Sequence, residues 1–303
     1  MTAIAQVATK ESFHLAEGPV WDATRGRLLW VDILKGDILE GEVVDGGGHG
    51  SKIAVTCRRS LGEMVGAVTY AADGSLLVAA QERLVLFGPD GTRVDGPRVV
   101  PAGVDRRCND GSTDPEGRFL VGTLTLSKGS RNESLVRLEE DGSLATLDDD
   151  LMLSNGLAWS ADGTRMFNVD TLRQVIYLRD YDTATGAVGE RRLHVRMDRG
   201  YPDGIAMDVQ DHLWVAMWGE GEVRRYSPDG ALVDRIAVPA PHTSSIAFAG
   251  RDLDLLVIST ATSELTADQH EQFPLSGRLF TVRAPVPGIP VAPWRPTSAF
   301  GGT

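Results

Sequence analysis

The sequence predicts an all-β chain: a six-bladed β-propeller with four antiparallel strands per blade. Three observations carry that prediction. A tight turn followed by an apolar run recurs six times, anchored at Gly26, Gly74, Gly117, Gly163, Asp211 and Gly250, in steps of 39 to 48 residues. A second set of turns falls between the anchors, for example Pro89-Asp90-Gly91, Glu140-Asp141-Gly142 and Ser227-Pro228-Asp229-Gly230. Two hairpins per repeat give four strands, the content and period of a propeller blade. No segment has a persuasive 3.6-residue apolar period, which would mark a helix.

The elements follow in chain order. The first repeat runs from Glu17-Gly18-Pro19-Val20-Trp21 through a turn into Leu28-Leu29-Trp30-Val31. The same turn-then-strand unit returns as Leu76-Leu77-Val78, Phe119-Leu120-Val121, Met166-Phe167, Leu213-Trp214-Val215 and, more loosely, Leu255-Leu256-Val257. Six units imply one domain over residues 1–303. A ring must close, because an open end exposes unpaired strand edges. Residues 4–8 are β-compatible and are expected to complete the last blade beside residues 278–282. Residues 261–272 are the one helix-like stretch and read better as a polar loop. Residues 285–303 are rich in Pro and Gly and read as irregular.

Composition narrows the function classes. The chain has 303 residues, 42% hydrophobic residues and a mean hydropathy of -0.12, as an ordinary globular chain has. Its net charge of -12 argues against nucleic acid and anionic membrane surfaces, which need clustered Lys and Arg. Cys57 and Cys108 form no C-x-x-C pair and read as reduced thiols of a cytoplasmic protein. Residues 1–10 show no signal-peptide pattern, and no run is long enough to span a membrane. No Gly-rich phosphate loop opens a helix, and no Gly-x-Ser-x-Gly elbow is present.

Eight or nine residues upstream of four anchors stand Glu17, Asn109, Asn155 and Asp203. In a propeller, rotation about the axis relates equivalent positions, so these side chains are expected to converge at one channel mouth. The second repeat places Gly66 there, and the sixth places the neighbourhood of Ser244. Two carboxylates, two carboxamides, a Gly and a Ser make an asymmetric set on a symmetric scaffold, as a grafted site requires. Asn-Gly and Asp-Gly are also common hairpin dipeptides. Alone, each reads as turn chemistry, and the shared phase with Glu17 is what singles them out. Clustered carboxylates repel, and a divalent cation relieves them. Oxygen donors from Glu17, Asn155 and Asp203 suit Ca²⁺, Mg²⁺ or Mn²⁺, and also admit Zn²⁺ or Fe²⁺.

These motifs resemble the family of gluconolactonase, regucalcin and luciferin-regenerating enzyme. The matching stretches are Ala16-Glu17-Gly18-Pro19-Val20-Trp21, Arg107-Cys108-Asn109-Asp110-Gly111, Leu153-Ser154-Asn155-Gly156-Leu157-Ala158-Trp159 and Pro202-Asp203-Gly204. Trp214-Val215-Ala216-Met217-Trp218-Gly219 and Pro274-Leu275-Ser276-Gly277-Arg278-Leu279-Phe280 also fit. The resemblance implies one divalent metal ion on Glu17, Asn155 and Asp203, with Asp203 as general base. It implies substrate contacts from Arg107 and Asn109. Regucalcin-like members carry an acid near the position of Ser127, where this chain reads Leu124-Thr125-Leu126-Ser127-Lys128-Gly129. The expected activity is metal-dependent opening of a sugar lactone, an aldono-1,4- or 1,5-lactone. The alternatives are a metal-dependent esterase or phosphotriesterase on the same site, or a non-enzymatic calcium-binding propeller.

Four further readings complete the chain. Trp21, Trp159 and Trp214 read as core. Trp218, beside Gly219, is a candidate pocket wall. Cys108 is expected to face the core. His242 reads as a loop histidine.

Overall fold

The computed structural model describes residues 3–44, 50–127 and 132–300. Its strands form six sheets, each built on a blade of four antiparallel strands, as the repeats predict, and one of them carries a fifth. The innermost strands are Ala16–Asp22, Val65–Tyr70, Arg106–Thr113, Ser154–Trp159, Tyr201–Met207 and Thr243–Ala249. Each packs on the innermost strands of both neighbours, and Thr243–Ala249 returns to Ala16–Asp22, so the ring is closed. Between adjacent blades lie apolar layers, for example Val31, Val65, Val78 and Val85, or Ala216, Val223, Ile246 and Ile258. Inner strands buried along their whole length, such as Val65–Tyr70, Ser154–Trp159 and Thr243–Ala249, supply these layers because each blade buries both faces against its neighbours.

Closure uses both chain ends. Gln6–Val7 pairs antiparallel with Phe280–Arg283 as the outer strand of blade six, which is where residues 4–8 were expected. Two residues earlier the chain does something unexpected: Ala3–Ile4 pairs in parallel with the outer strand Leu232–Ala237 of blade five. A two-residue strand carries no periodic signal, so the sequence could not show it.

Residues 285–300 are irregular, as expected, but they are bound along the far face. The Ile289 amide donates to Met207 in blade five, Trp294 to Tyr70 in blade two, and Arg295 to Gly117 in blade three. Trp294 is buried against Phe300.

One expectation is corrected. Residues 261–272 are not wholly loop, because Ala267–Gln272 forms a short α-helix. Thr266 caps it by accepting from the Gln269 amide, while the Gln269 side chain accepts from the Thr266 amide. That capping box satisfies two otherwise free donors. The helix buries no residue, so no apolar period announced it. No helix among the described residues is long and apolar enough to cross a membrane.

Candidate functional site

A β-bulge interrupts the pairing of every innermost strand near its start, and the candidate side chains sit at these bulges. A bulge sets two residues against one on the partner strand and re-aims their side chains. The bulged stretches contain Gly18, Gly66, Asn109-Asp110, Gly156, Asp203-Gly204 and Ser244. Gly66 is therefore a bulge residue itself, and the residue ahead of it is the buried apolar Val65, so blade two brings no oxygen donor. Ser244 donates to the Ala16 carbonyl at 2.5 Å, which ties blade six to blade one next to Glu17.

Glycine is needed where blades meet most closely. A Cβ on Gly156 would lie 2.5 Å from the Asp203 carbonyl oxygen, and one on Gly204 would lie 2.0 Å from Ser245 Oγ. The small residue lets the donor ahead of it stand beside the next blade's donor.

Two buried aspartates fix the approach to two of these bulges. The Asp32 carboxylate accepts from the amides of His14 and Leu15 at 2.8 and 3.0 Å. Asp170 accepts from Met152 and Leu153 at 3.1 and 3.2 Å. The clamped amides lie two and three residues ahead of Glu17 and Asn155, so each acid pins the backbone that presents a donor. Nothing in the sequence flagged them, because each lies 15 residues beyond the donor it positions.

The candidate side chains meet in a buried network. Arg107 donates to Asn109 Oδ1 at 2.7 Å, and Asn109 Nδ2 donates to Asn155 Oδ1 at 2.9 Å. Asn155 Nδ2 in turn donates to Thr171 Oγ1 at 2.9 Å. Glu17 accepts from the Gly18 amide at 3.0 Å, which the left-handed backbone at Gly18 (φ 50°) permits. Asp203 Oδ1 is buried with no hydrogen-bond partner among the described residues. Such a group is costly to leave unpaired. Thr123 Oγ1 and Thr125 Oγ1 donate to the fully buried Glu133, which steadies the neighbouring strand of blade three.

Burial raises the Glu17 carboxyl to about 8, and the nearby Asp110 charge adds to the rise. Asp203 is held well above the usual carboxylate range by burial, then by Glu17 and Asp110. Asp110 is pushed up to about 6 by burial, with the Gly111 amide opposing. Among the described residues Arg107 is the one cation whose charge acts on both Glu17 and Asp203, and burial lowers it to about 10, so it stays protonated at neutral pH. Glu17 and Asp203 thus share one guanidinium, and with Asp110 beside them the cluster has a deficit of two positive charges if all three ionise.

Asp110 was quoted in the motif but given no role. It occupies the place that Gly156 and Gly204 take in blades four and five, directly after the donor. That break in the donor-Gly pattern is the signal that could have found it. Cys108 is buried among Ala79, Phe119 and Val121, facing the core as expected, and its thiol is pushed up to about 12. Trp159 and Trp214 are core residues, while Trp21 is only partly buried. Trp218 and His242 stack face to face, with centroids 4.3 Å apart. Ser127 donates its amide to Asp105, and Lys128 and Gly129 lie outside the described residues.

Among the described residues no three His, Cys, Asp or Glu side chains form a metal cage by themselves. A set of two acids and one carboxamide would escape that description, and Glu17, Asn155 and Asp203 are such a set. Behind the acids the channel holds a cavity of about 590 Å³. Gly18 and Asp110 reach it, and Ile289-Pro290-Val291 line it from the tail. Glu17, Arg107 and Asp203 do not line it. It is the rear of the channel.

Comparison with known proteins now bears on this geometry. The family described as SMP-30/Gluconolactonase/LRE-like region matches residues 15–262. This chain belongs to that family. Within it, the chain is 34% identical over 253 residues to the pentonolactonase XacC of Haloferax volcanii, covering 82% of each. It is 33% identical to the 6-deoxy-6-sulfogluconolactonase of Pseudomonas putida, over 90% of this chain and 92% of that one. A solved calcium-binding protein, regucalcin, from Agrobacterium tumefaciens superposes with a TM-score of 0.88 at 26% identity, over 98% of this chain and all of that one. The matched region spans blade one to the start of the loop in blade six, and so contains all five candidate residues.

Proposed function

We propose that this protein hydrolyses a sugar lactone, an aldono-1,4- or 1,5-lactone, to the aldonic acid. Lactone hydrolysis is the activity named for its pentonolactonase and sulfogluconolactonase relatives. The observation that carries the reading is the buried acid cluster, in which Asp203 keeps an unpartnered oxygen and one Arg serves Glu17 and Asp203 with Asp110 as a third carboxyl beside them. Oxygen donors from Glu17, Asn155 and Asp203 fit a divalent cation, whose two charges would match the deficit. Bound there, such an ion supplies Lewis-acid polarisation of an ester carbonyl and charge compensation.

The remaining work falls to the chain's own residues. Water adds to the carbonyl carbon, the ring C–O bond breaks, and a hydroxyl and a carboxylate result. Ionised Asp203 takes a proton from the attacking water and hands it to the departing ring oxygen, while the new carboxyl loses its own proton to solvent. Arg107 has a fixed orientation through Asn109, and its Nε is buried without a partner among the described residues. In this reading it donates to substrate oxygens. Asn109 joins Arg107 to Asn155, so substrate contact and donor set share one network.

The test is a substrate panel of aldonolactones, aryl esters and phosphotriesters, run with Ca²⁺, Mg²⁺, Mn²⁺, Zn²⁺ and Fe²⁺ after chelation. Turnover of a lactone above the other classes is expected. Preference for an aryl ester or phosphotriester would move the assignment within hydrolases. No turnover with any ion would leave a calcium-binding role, as the name of the Agrobacterium neighbour suggests for that protein.

A further inference from the structure

The mouth has a second built wall that the reaction scheme does not use. His242 is 7% exposed, directly ahead of the innermost strand of blade six. Its ring lies flat on Trp218, with 9° between the planes. Nδ1 is 2.9 Å from the Ser263 carbonyl. A carbonyl can only accept, so the ring proton sits on Nδ1 and Nε2 keeps its lone pair. Burial lowers the pKa of His242, which keeps the ring neutral near pH 7. The tautomer and the ring plane are thus both fixed, and Nε2 has no partner among the described residues.

The ladder register places that nitrogen. The last pair before the bulge is Cys108 with Thr123 in blade three and Thr243 with Thr260 in blade six. The residues one step earlier are Arg107 and His242. They are rotational counterparts, three blades apart in a ring of six, and so face each other across the mouth. A ring-shaped substrate whose carbonyl lies toward Arg107 and the acids turns its opposite edge to His242.

We propose that His242, stacked on Trp218, is a specificity-determining residue whose Nε2 accepts a hydrogen bond from a substrate hydroxyl. The inference rests on the lactonase reading and names its substrate class: polyhydroxylated ring lactones in preference to unsubstituted ones. A site built to bond a hydroxyl rejects the analogue that lacks it, because the site's own polar atom is then left unpaired.

The test compares kcat/KM for a hydroxylated aldonolactone with kcat/KM for δ-valerolactone. His242→Phe keeps a flat ring against Trp218 and removes the acceptor. The ratio of the two values is expected to fall about tenfold, the worth of one neutral hydrogen bond, and chiefly through KM on the hydroxylated substrate. His242→Gln, which returns an acceptor, is expected to recover part of the ratio. Near-UV circular dichroism and the melting temperature check that the stack and fold persist. An unchanged ratio in His242→Phe, or equal loss on both lactones, overturns the inference while leaving the lactonase reading intact. A wild type that opens neither lactone overturns both.

Discussion

Raising the pH of the chelated protein should destabilise it, with Glu17 and Asp203 as the main causes. The folded-state pKa of Glu17 is about 8 against an ordinary 4.5. The folded chain therefore holds a proton that the unfolded chain releases, and stability falls as pH rises from about 4.5 to 8. Below that window both states are protonated and the difference vanishes. Above it the full cost is present. A shift of that size corresponds to about 5 kcal/mol at about 1.4 kcal/mol per unit. Asp110 and Asp203 are raised as well and act in the same direction. With an unfolding entropy of about 2.1 cal/mol/K per residue, the 303-residue chain should lose about 8 °C in Tm for that 5 kcal/mol.

The assay is thermal unfolding in chelator at pH 5, 6, 7 and 8.5, for wild type and Glu17→Gln. Wild type should lose about 8 °C or more across the series, and the variant, uncharged at position 17 at every pH, should lose part of that slope, with Asp203 supplying the rest. A divalent cation at 100 times its Kd should restore about 2.7 kcal/mol, and more effectively at high pH, where it no longer competes with the proton. Equal slopes in the two proteins would refute the reasoning, since Glu17 would then not be a desolvated acid facing other acids.

Three other outcomes are expected. Asp203→Asn should lower lactone turnover at least ~10²-fold with the fold intact, even in excess cation, and near-complete rescue by cation would reduce Asp203 to a donor. Arg107→Ala should lower kcat/KM while the bound cation, measured by elemental analysis, stays unchanged; loss of the cation instead would make Arg107 structural. Gly156→Ala should cost about 1–3 kcal/mol by overpacking and lower turnover by displacing Asp203. Gly26→Ala is the control, because a Cβ there meets nothing within 4 Å, and its Tm and kcat should show strain without loss of the site.

The blades were legible because a turn and an apolar run repeat at each anchor. The candidate donors Glu17, Asn155 and Asp203 stood out because each lies eight or nine residues ahead of an anchor. What stayed hidden has no local signature. Asp32 and Asp170 act through backbone amides that only folding brings near them. Asp110 looked like a flank until the bulges showed it standing in a glycine's place. The capped turn at Ala267–Gln272 has no buried face, and the parallel pair at Ala3–Ile4 is too short for any period. The Trp218 and His242 contact joins two blades, and its parts read separately as a wall and a loop residue.

The double pairing of residues 3–7 also dictates an order of events at the ribosome. Gln6 pairs with Thr281, so a strand made early waits for one made 275 residues later (281 − 6). At about 5–20 residues per second, that wait is roughly 15–60 s. For the last stretch of it, once Leu232–Ala237 has been made, Ala3–Ile4 can already cover the edge of blade five, whereas the partner for Val7 does not yet exist. The nascent chain can thus park Ala3–Ile4 on blade five before the ring seals, sparing one bare edge from neighbouring chains.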